Sequence, residues 1–472
     1  MTKIETEMTG QQIYPQYDAL WHLVTMGVLT PDHGPNGWTL PAPDKPTRVA
    51  VIDTSVAADH PNLVGVINRE LSLDLFSARL GSFPFLPSDQ TRISQLMLNW
   101  GTNIADGLPH SVRLLAEFVD RLATGEPKFW AGVQPSILPE FSNHGTSIAG
   151  IVGARPCIAN HTIDRGEVSD MALPYTGVDP SCEIVQISTN FDPDPESLIL
   201  AFLYADLIDA DVVLFPRNIA DPTRIVPELS DIEVDGMVLA NAVQQIAPDA
   251  AKSEMWSELT QLIENISHVR PIVCAAGNAN EDNAIYPANL ASDHNGIISV
   301  GAANAKGALA SYSSSGNITV MAPSNDAEVF DRTQVRLDAQ RPLYDPNTVP
   351  TPNSNHLYSS YDIISTDVPG PAGYSSGPFH AATLDGTLRE YGSYFSRFGG
   401  TSAASALIAG FLSLGKSTQD MGDGSGVAAK AWLLSKCYTI EYEDEAMIVP
   451  CWKGQPSFPD KSDQLELVIG QV

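Results

Sequence analysis

Five short, nearly continuous apolar runs punctuate the chain: TRVAVIDTS (47–55), CEIVQIST (182–189), ADVVLFP (210–216), PIVCAAGN (271–278) and GIISVGAA (296–303). Runs of this length and evenness are what strands of a parallel sheet look like when both faces are covered, and such strands carry functional residues at their C-terminal ends. Between them lie PESLILAFLYADLIDA (195–210) and SEMWSELTQLIENISHV (253–269), with apolar residues at spacings of three and four. That spacing predicts helices. Strand and helix in alternation predict an α/β fold of three layers, with a mostly parallel central sheet between two layers of helix.

Other segments break this rhythm. Residues 1–46 include TPDHGPNGWTLPAPDKP, rich in turn formers, and read as a loosely structured lead-in. Residues 47–472 then read as one domain with three insertions. The first, near 70–140, contains a helical candidate, SVRLLAEFVDRLATGE; those near 324–360 and 374–396 are rich in Asp, Pro, Ser, Asn and Tyr, as long surface loops are. No internal repeat is found.

Composition narrows the class. The 472 residues are 43% hydrophobic and 17% charged, a globular balance. With 26 Lys and Arg against 56 Asp and Glu, the formal charge is −30. A surface of that sign repels phosphate backbones and anionic lipid, which argues against nucleic-acid and membrane-surface partners. The N-terminus has no basic head followed by an apolar core, and no apolar run approaches the roughly 18 residues of a membrane span. Cys157, Cys182, Cys274, Cys437 and Cys451 are odd in number and scattered, so they build neither a disulfide framework nor a zinc pattern. A reducing compartment, the cytoplasm, is the expectation.

Candidate chemistry starts at FGGTSAASALIAG (398–410). Thr401 and Ser402 read equally as caps of the Ala-rich helix that follows. Ser402 reads alternatively as a nucleophile at a helix N-terminus, where backbone N–H groups receive a developing oxyanion. Serine hydrolysis also needs a base, a carboxylate to orient the base, and oxyanion donors. Asp53 ends the first apolar run, His144 sits in FSNHGTSIAG, and Asn278 ends PIVCAAGN. Singly, each has a structural reading: a turn Asp, one histidine among ten, an Asn after Gly in a turn.

Together they form a pattern. AVIDTSVAADHPNL, NHGTSIAGIVGA, AAGNANEDNAIYPANL, ISVGAANAKGALASYSSSGN with VMAPS, and GGTSAASALIAG occur in the order and with the internal spacing of the subtilisin-like serine proteases. The chain resembles that family discontinuously from about Arg48 to about Trp432. The resemblance implies an Asp–His–Ser triad on a mostly parallel sheet: Asp53 orients the imidazole, His144 is the base and then the acid, and Ser402 attacks the scissile carbonyl. Asn278 and the Ser402 backbone N–H would hold the oxyanion. It implies a serine endopeptidase acting on proteins or peptides, with no cofactor required. Relatives often bind calcium in loops; no spaced ligand set matches here, so calcium is left without ligands. Two other outcomes share the same residues: transfer of the acyl group to an amine, giving a ligase or cyclase, and a non-catalytic peptide binder.

The chain departs from the family in places. His60, in DHPNL, matches a structural position and is not taken as the base. Ser147 stands where many relatives carry a second His, Ser55 replaces a usual Gly, and Ala406 replaces a Pro. The lead-in is shorter than the folded inhibitory prosegment of secreted relatives. The largest departure is DVVLFPRNIADP, where relatives carry Ser-Leu-Gly-Gly on an edge that pairs with the substrate. Pro216 has no N–H, and Arg217 adds bulk and charge. As substrate-binding residues, Pro216 and Arg217 predict a narrower cleft with a local preference for acidic substrates. The alternative is that the edge is remodelled, with Arg217 turned outward onto a carboxylate of the protein itself.

Overall fold

A computed structural model describes residues 20–32, 34–36, 46–75, 103–123, 142–162, 168–189, 193–217, 219, 233–234, 237–238, 250–326, 363–369, 373–374, 394–422, 424–442, 445–459 and 468–471. Its centre is a sheet of seven strands: β1 (Arg48–Asp53), β2 (Leu73–Asp74), β3 (Glu183–Ser188), β4 (Val212–Phe215), β5 (Ile272–Ala275), β6 (Ile297–Ala303) and β7 (Val320–Pro323). The order across the sheet is β7-β6-β5-β4-β1-β3-β2, and every pairing is parallel. The order reverses direction beside β1, the place where loops at strand C-termini open a crevice in α/β sheets. The five apolar runs are thus five of the seven strands. The other two were not read from pattern: β2 has two residues, and β7 carries Pro323 at its end.

The helices are α1 (Trp21–Thr25), α2 (Pro109–Ala123), α3 (Asn143–Gly153), α4 (Pro195–Leu207), α5 (Ala250–Val269), α6 (Gly400–Ser417) and α7 (Gly426–Ser435). The period of two along each strand divides the core. Val49, Val51, Val212 and Leu214 bury into one layer with Ile148 of α3 and Ala403 and Leu407 of α6. Ala50, Ile52, Val213 and Phe215 bury into the opposite layer with Phe202 of α4 and Leu259 of α5. Alternation in the strands therefore generates the three layers expected. α4 starts cleanly: the Asp194 side chain accepts from the Ser197 N–H at 2.9 Å, and Pro195 opens the first turn. α6 is buried along nearly its whole length, from Thr401 to Gly415, and its small residues let it press against both α3 and the sheet.

The lead-in is not loose throughout: Trp21, Leu23, Met26, Val28 and Leu29 are buried in the core, and the Met26 carbonyl accepts from the Trp452 N–H at 2.7 Å. Large apolar side chains outweigh the turn formers around them, because each stabilises burial by roughly 1.5–3 kcal/mol. In the insertion near 70–140, α2 is docked on α4 and α5 through Leu114 and Phe118. Most of the other two insertions, 327–362 and 375–393, lies outside the described residues. Beyond the central layers, Cys437–Tyr442, Glu445–Pro450 and Val468–Gln471 form an antiparallel sheet, and Ile363–Thr366 pairs with Phe395–Phe398. Among the described residues no helix is long and apolar enough to cross a membrane.

Candidate active site

Position 53 shares the parity of Val49 and Val51, so Asp53 leaves the end of β1 on the side of α3 and α6. It is fully buried. Its Oδ1 accepts from the Thr54 N–H at 2.7 Å. His144, the second residue of α3, brings Nδ1 to 2.7 Å from Asp53 Oδ2 and 2.9 Å from Oδ1. An ionised carboxylate can only accept, so Nδ1 carries the proton and donates, which leaves Nε2 as the basic nitrogen. The ring packs edge-on to Phe398, centroids 5.2 Å apart, and the side chain keeps 22% of its surface exposed.

This approach depends on Gly145. A Cβ there would lie 2.3 Å from the Ser55 carbonyl oxygen, so a larger residue would push α3 off the end of β1. The Gly145 N–H donates to Thr54 Oγ1 at 3.0 Å and fixes the same junction.

α6 begins at a turn held from several directions. Gly400 has φ +76°, a conformation glycine adopts at little cost, and a Cβ there would meet Asn278 Nδ2 at 2.9 Å. The Gly400 N–H lies 3.1 Å from both the Tyr312 hydroxyl and Asn325 Oδ1. Asn278 stands exposed on the loop after β5. Its Oδ1 accepts from the Thr401 N–H at 2.8 Å and the Thr401 hydroxyl at 2.9 Å, and Thr401 Oγ1 accepts from the Gly277 N–H at 3.1 Å. With the carbonyl end of the amide committed to Thr401, the NH2 end is the donor offered to a ligand. Next in sequence, Ser402 is 7% exposed and donates from Oγ to the Pro216 carbonyl at 2.8 Å.

The edge after β4 ties these parts together. Pro216 touches Ser402 through its carbonyl, while its neighbour Arg217 places Nε 3.8 Å from Asp53 Oδ1 and donates from Nη1 to Thr189 Oγ1 at 3.0 Å. Two consecutive residues thus reach Ser402 and Asp53, and all the predicted site residues gather at one end of the sheet. Arg217 is 7% exposed, and its guanidinium reaches Asp53 and Thr189. A buried carboxylate left without a partner is strongly destabilising, and Arg217 and His144 both partner Asp53.

His60 lies apart from this constellation. It is fully buried, Nδ1 accepts from the Asn62 N–H at 3.1 Å, and Nε2 lies 2.8 Å from the Tyr394 carbonyl. Burial lowers its pKa to about 4, against the opposing pull of the Tyr394 carbonyl and Asp59. The Thr189, Tyr312 and Asn325 contacts were not anticipated. Tyr312 lies inside one of the quoted motifs and Asn325 just beyond another, but no periodicity marks which side chain will turn toward Gly400. Among the described residues, no group of three or more His, Cys, Asp or Glu is placed to hold a metal ion.

Residues 44–447 match the model of the subtilase family. The chain belongs to the subtilase family. It is a family of serine peptidases, which implies peptide or protein substrates. No curated protein sequence matches. Solved structures resemble the chain at a distance. A cold-adapted subtilisin-like serine proteinase aligns at 12% identity over 93% of this chain and 99% of its own, with a TM-score of 0.45. The nisin leader peptidase NisP from Lactococcus lactis aligns at 14% identity over 90% of each chain, with a TM-score of 0.48. The PatG macrocyclase domain aligns at 14% identity over 82% of this chain and 81% of its own, with a TM-score of 0.40. Likenesses this remote bear on neither substrate nor chemistry.

Proposed function

We propose that this subtilase is a serine endopeptidase working through an acyl-enzyme. Ser402 Oγ turns from the Pro216 carbonyl and attacks the scissile carbonyl carbon, and its proton passes to His144 Nε2. Asp53 holds the imidazole through Nδ1 and stabilises the imidazolium. The oxyanion is received by Asn278 Nδ2 and the backbone N–H of Ser402 at the start of α6. His144 then returns the proton to the departing amine, and water repeats the cycle to free Ser402.

The observation that supports this reading most strongly is the division of labour around α6. Asp53 fixes one nitrogen of His144, and Thr401 fixes one end of the Asn278 amide, so a base and a donor are both pre-aimed without spending the groups the reaction needs. The test is a fluorophosphonate label on the intact chain, mapped by mass spectrometry. Labelling of Ser402 that is lost in Ser402→Ala supports the reading; no labelling, or labelling elsewhere, refutes it. Product masses with an added amine separate hydrolysis from acyl transfer. All five cysteines are free thiols, which suits work in the reducing cytoplasm. Thiol titration of protein from its own host, without reductant, is expected to find all five.

A further inference from the structure

α3 carries His144, and the fold holds its first turns from two sides. Toward β1, the Gly145 N–H donates to Thr54 Oγ1 at 3.0 Å and Thr146 Oγ1 accepts from the Ala57 N–H at 2.8 Å, which ties the helix to the segment after Asp53. On another side lies the ribbon made by Ile363–Thr366 and Phe395–Phe398. Three hydroxyls join that ribbon to α3. Thr366 Oγ1 donates to the Thr146 carbonyl at 2.7 Å, Ser365 Oγ to the Ser147 carbonyl at 2.6 Å, and Ser147 Oγ to the Thr366 carbonyl at 3.0 Å. Thr146, Ser147, Ser365 and Thr366 are all fully buried. Gly150, one turn further on, permits the approach, since a Cβ there would collide with Thr366 Oγ1 and Ser365 Oγ. Ser147, a departure from the family, is thus part of the contact.

The ribbon's second strand leads to the nucleophile. Ile363 pairs with Phe398 and Thr366 with Phe395 in antiparallel register, so the strand that bonds α3 is itself bonded to the strand that runs into Gly399, Gly400 and α6. Phe398 also packs its ring against His144, centroids 5.2 Å apart. Ser402 Oγ donates to the Pro216 carbonyl, so the separation of base and nucleophile is set by what joins their helices. α3 and α6 pack directly on each other as well. Apolar contact of that kind is non-directional, whereas a hydrogen bond weakens steeply off its axis. The hydroxyl bonds therefore fix the register of α3 on the ribbon, and the ribbon carries that register to the turn before Ser402.

We propose that Ser147, Ser365 and Thr366 are positioning residues: their hydroxyls lock α3 to the ribbon and so hold His144 within proton-transfer reach of Ser402. The bonds to Thr54 and Ala57 set His144 against Asp53, and the bonds to the ribbon set it against Ser402. This rests on the reading of Ser402 and His144 as nucleophile and base. Without a hydroxyl, α3 is freer to slide along the strand, and a displacement of about 1 Å at a reacting group costs on the order of 100-fold in rate.

The experiment compares Thr366→Val, Thr366→Ser and Ser147→Ala with wild type in the second-order rate of fluorophosphonate labelling, in kcat and KM on a cleaved peptide, and in melting temperature. Thr366→Val keeps the shape and removes the donor, whereas Thr366→Ser keeps the donor and removes a methyl group. The Val variant is expected to label about tenfold more slowly and to lose a similar factor in kcat with KM unchanged, while the Ser variant stays near wild type in both. Ser147→Ala is expected to slow labelling in the same sense, although Ala is the better helix former. A lower melting temperature with labelling and kcat unchanged would mark a purely structural role and overturn the inference. A Ser variant as slow as the Val variant, or a loss confined to KM, overturns it too, and each of these leaves the peptidase reading intact. A wild type that does not label overturns both. If Thr366→Val does not fold, Ser147→Ala is read in its place.

Discussion

His60, in the segment that follows β1, and His144, at the start of α3, are held by the fold in opposite ways. His60 is sealed: one nitrogen faces the Asn62 N–H, the other the Tyr394 carbonyl, and Tyr394 and Phe395 pack edge-on against its ring. His144 has one nitrogen committed to Asp53 and retains 22% of its surface. The imidazole is the same; what differs is how many of its nitrogens the fold has spent. A ring with both nitrogens satisfied and no water is a rigid neutral spacer, whereas a ring with one nitrogen satisfied is a tethered base. The contrast can be broken at either end.

The largest effect is expected at His144. His144→Ala is expected to lower kcat by about ten-thousand-fold or more, with Ser402→Ala equally damaging and the double variant no worse, because triad members act as a unit. His60→Asn is expected to leave kcat near wild type at neutral pH. Kinetics on any cleaved peptide decide it: substantial turnover in His144→Ala, or a collapse in His60→Asn, would show that the two rings have been assigned the wrong way round.

Next comes Asn278, the proposed oxyanion donor. Asn278→Ala removes the amide that Thr401 aims and is expected to lower kcat about 100- to 1,000-fold, roughly 3–4 kcal/mol, with little change in KM. A change confined to KM would mean that the amide binds the substrate's ground state.

Much of this was legible in the sequence, for identifiable reasons. β1 and β3–β6 announce themselves because strands covered on both faces must be apolar throughout. Asp53, His144, Asn278 and Ser402 each sit where a strand ends or a helix of small residues begins, and it is the resemblance of the quoted motifs to the family that joins them into one site. The direction of Arg217 could not be read. Three or more torsions separate its charge from the backbone, and only the completed fold shows that the nearest carboxylate lies inward. The lead-in failed for a related reason: its turn formers are local signals, but its destination beside Trp452 is set by contacts across nearly the whole chain. β2, with two residues, is too short to carry a pattern.

At the other end of the comparison, His60 should betray its burial through stability. Its pKa is about 4 in the folded protein against an ordinary value of 6.5. Between those values the unfolded chain binds more protons, so stability rises with pH there. The contribution is fully present above about pH 6.5 and is lost progressively as pH falls toward 4, to a total of about 3 kcal/mol. Chemical denaturation at several pH values in this window, for wild type and His60→Asn, isolates the term. The variant is expected to start less stable at neutral pH and to fall less steeply in acid. Parallel slopes would mean that His60 is protonated in the folded state after all.

The smallest effect concerns the turn at the head of α6 that carries Ser402. The Tyr312 hydroxyl accepts from the Gly400 N–H and lies 2.9 Å from both the Asn325 carbonyl and Oδ1, and 3.0 Å from Ser324 Oγ. Ser324 Oγ in turn donates to the Gly400 carbonyl at 2.9 Å. The left-handed Gly400 is therefore held from both its N–H and its carbonyl, and Asn325 Oδ1 backs up the hydroxyl at 3.1 Å. Tyr312→Phe deletes one oxygen while keeping the ring, so Gly400 loses one of two acceptors, at a cost of about 1 kcal/mol. Because the turn sets where Ser402 Oγ and the Asn278 amide point, that loss should fall on kcat, about three- to tenfold, with KM unchanged. A structural role alone would lower the melting temperature and leave kcat untouched. Measuring both in one preparation separates these outcomes, and an unaltered kcat would show that Asn325 holds the turn unaided.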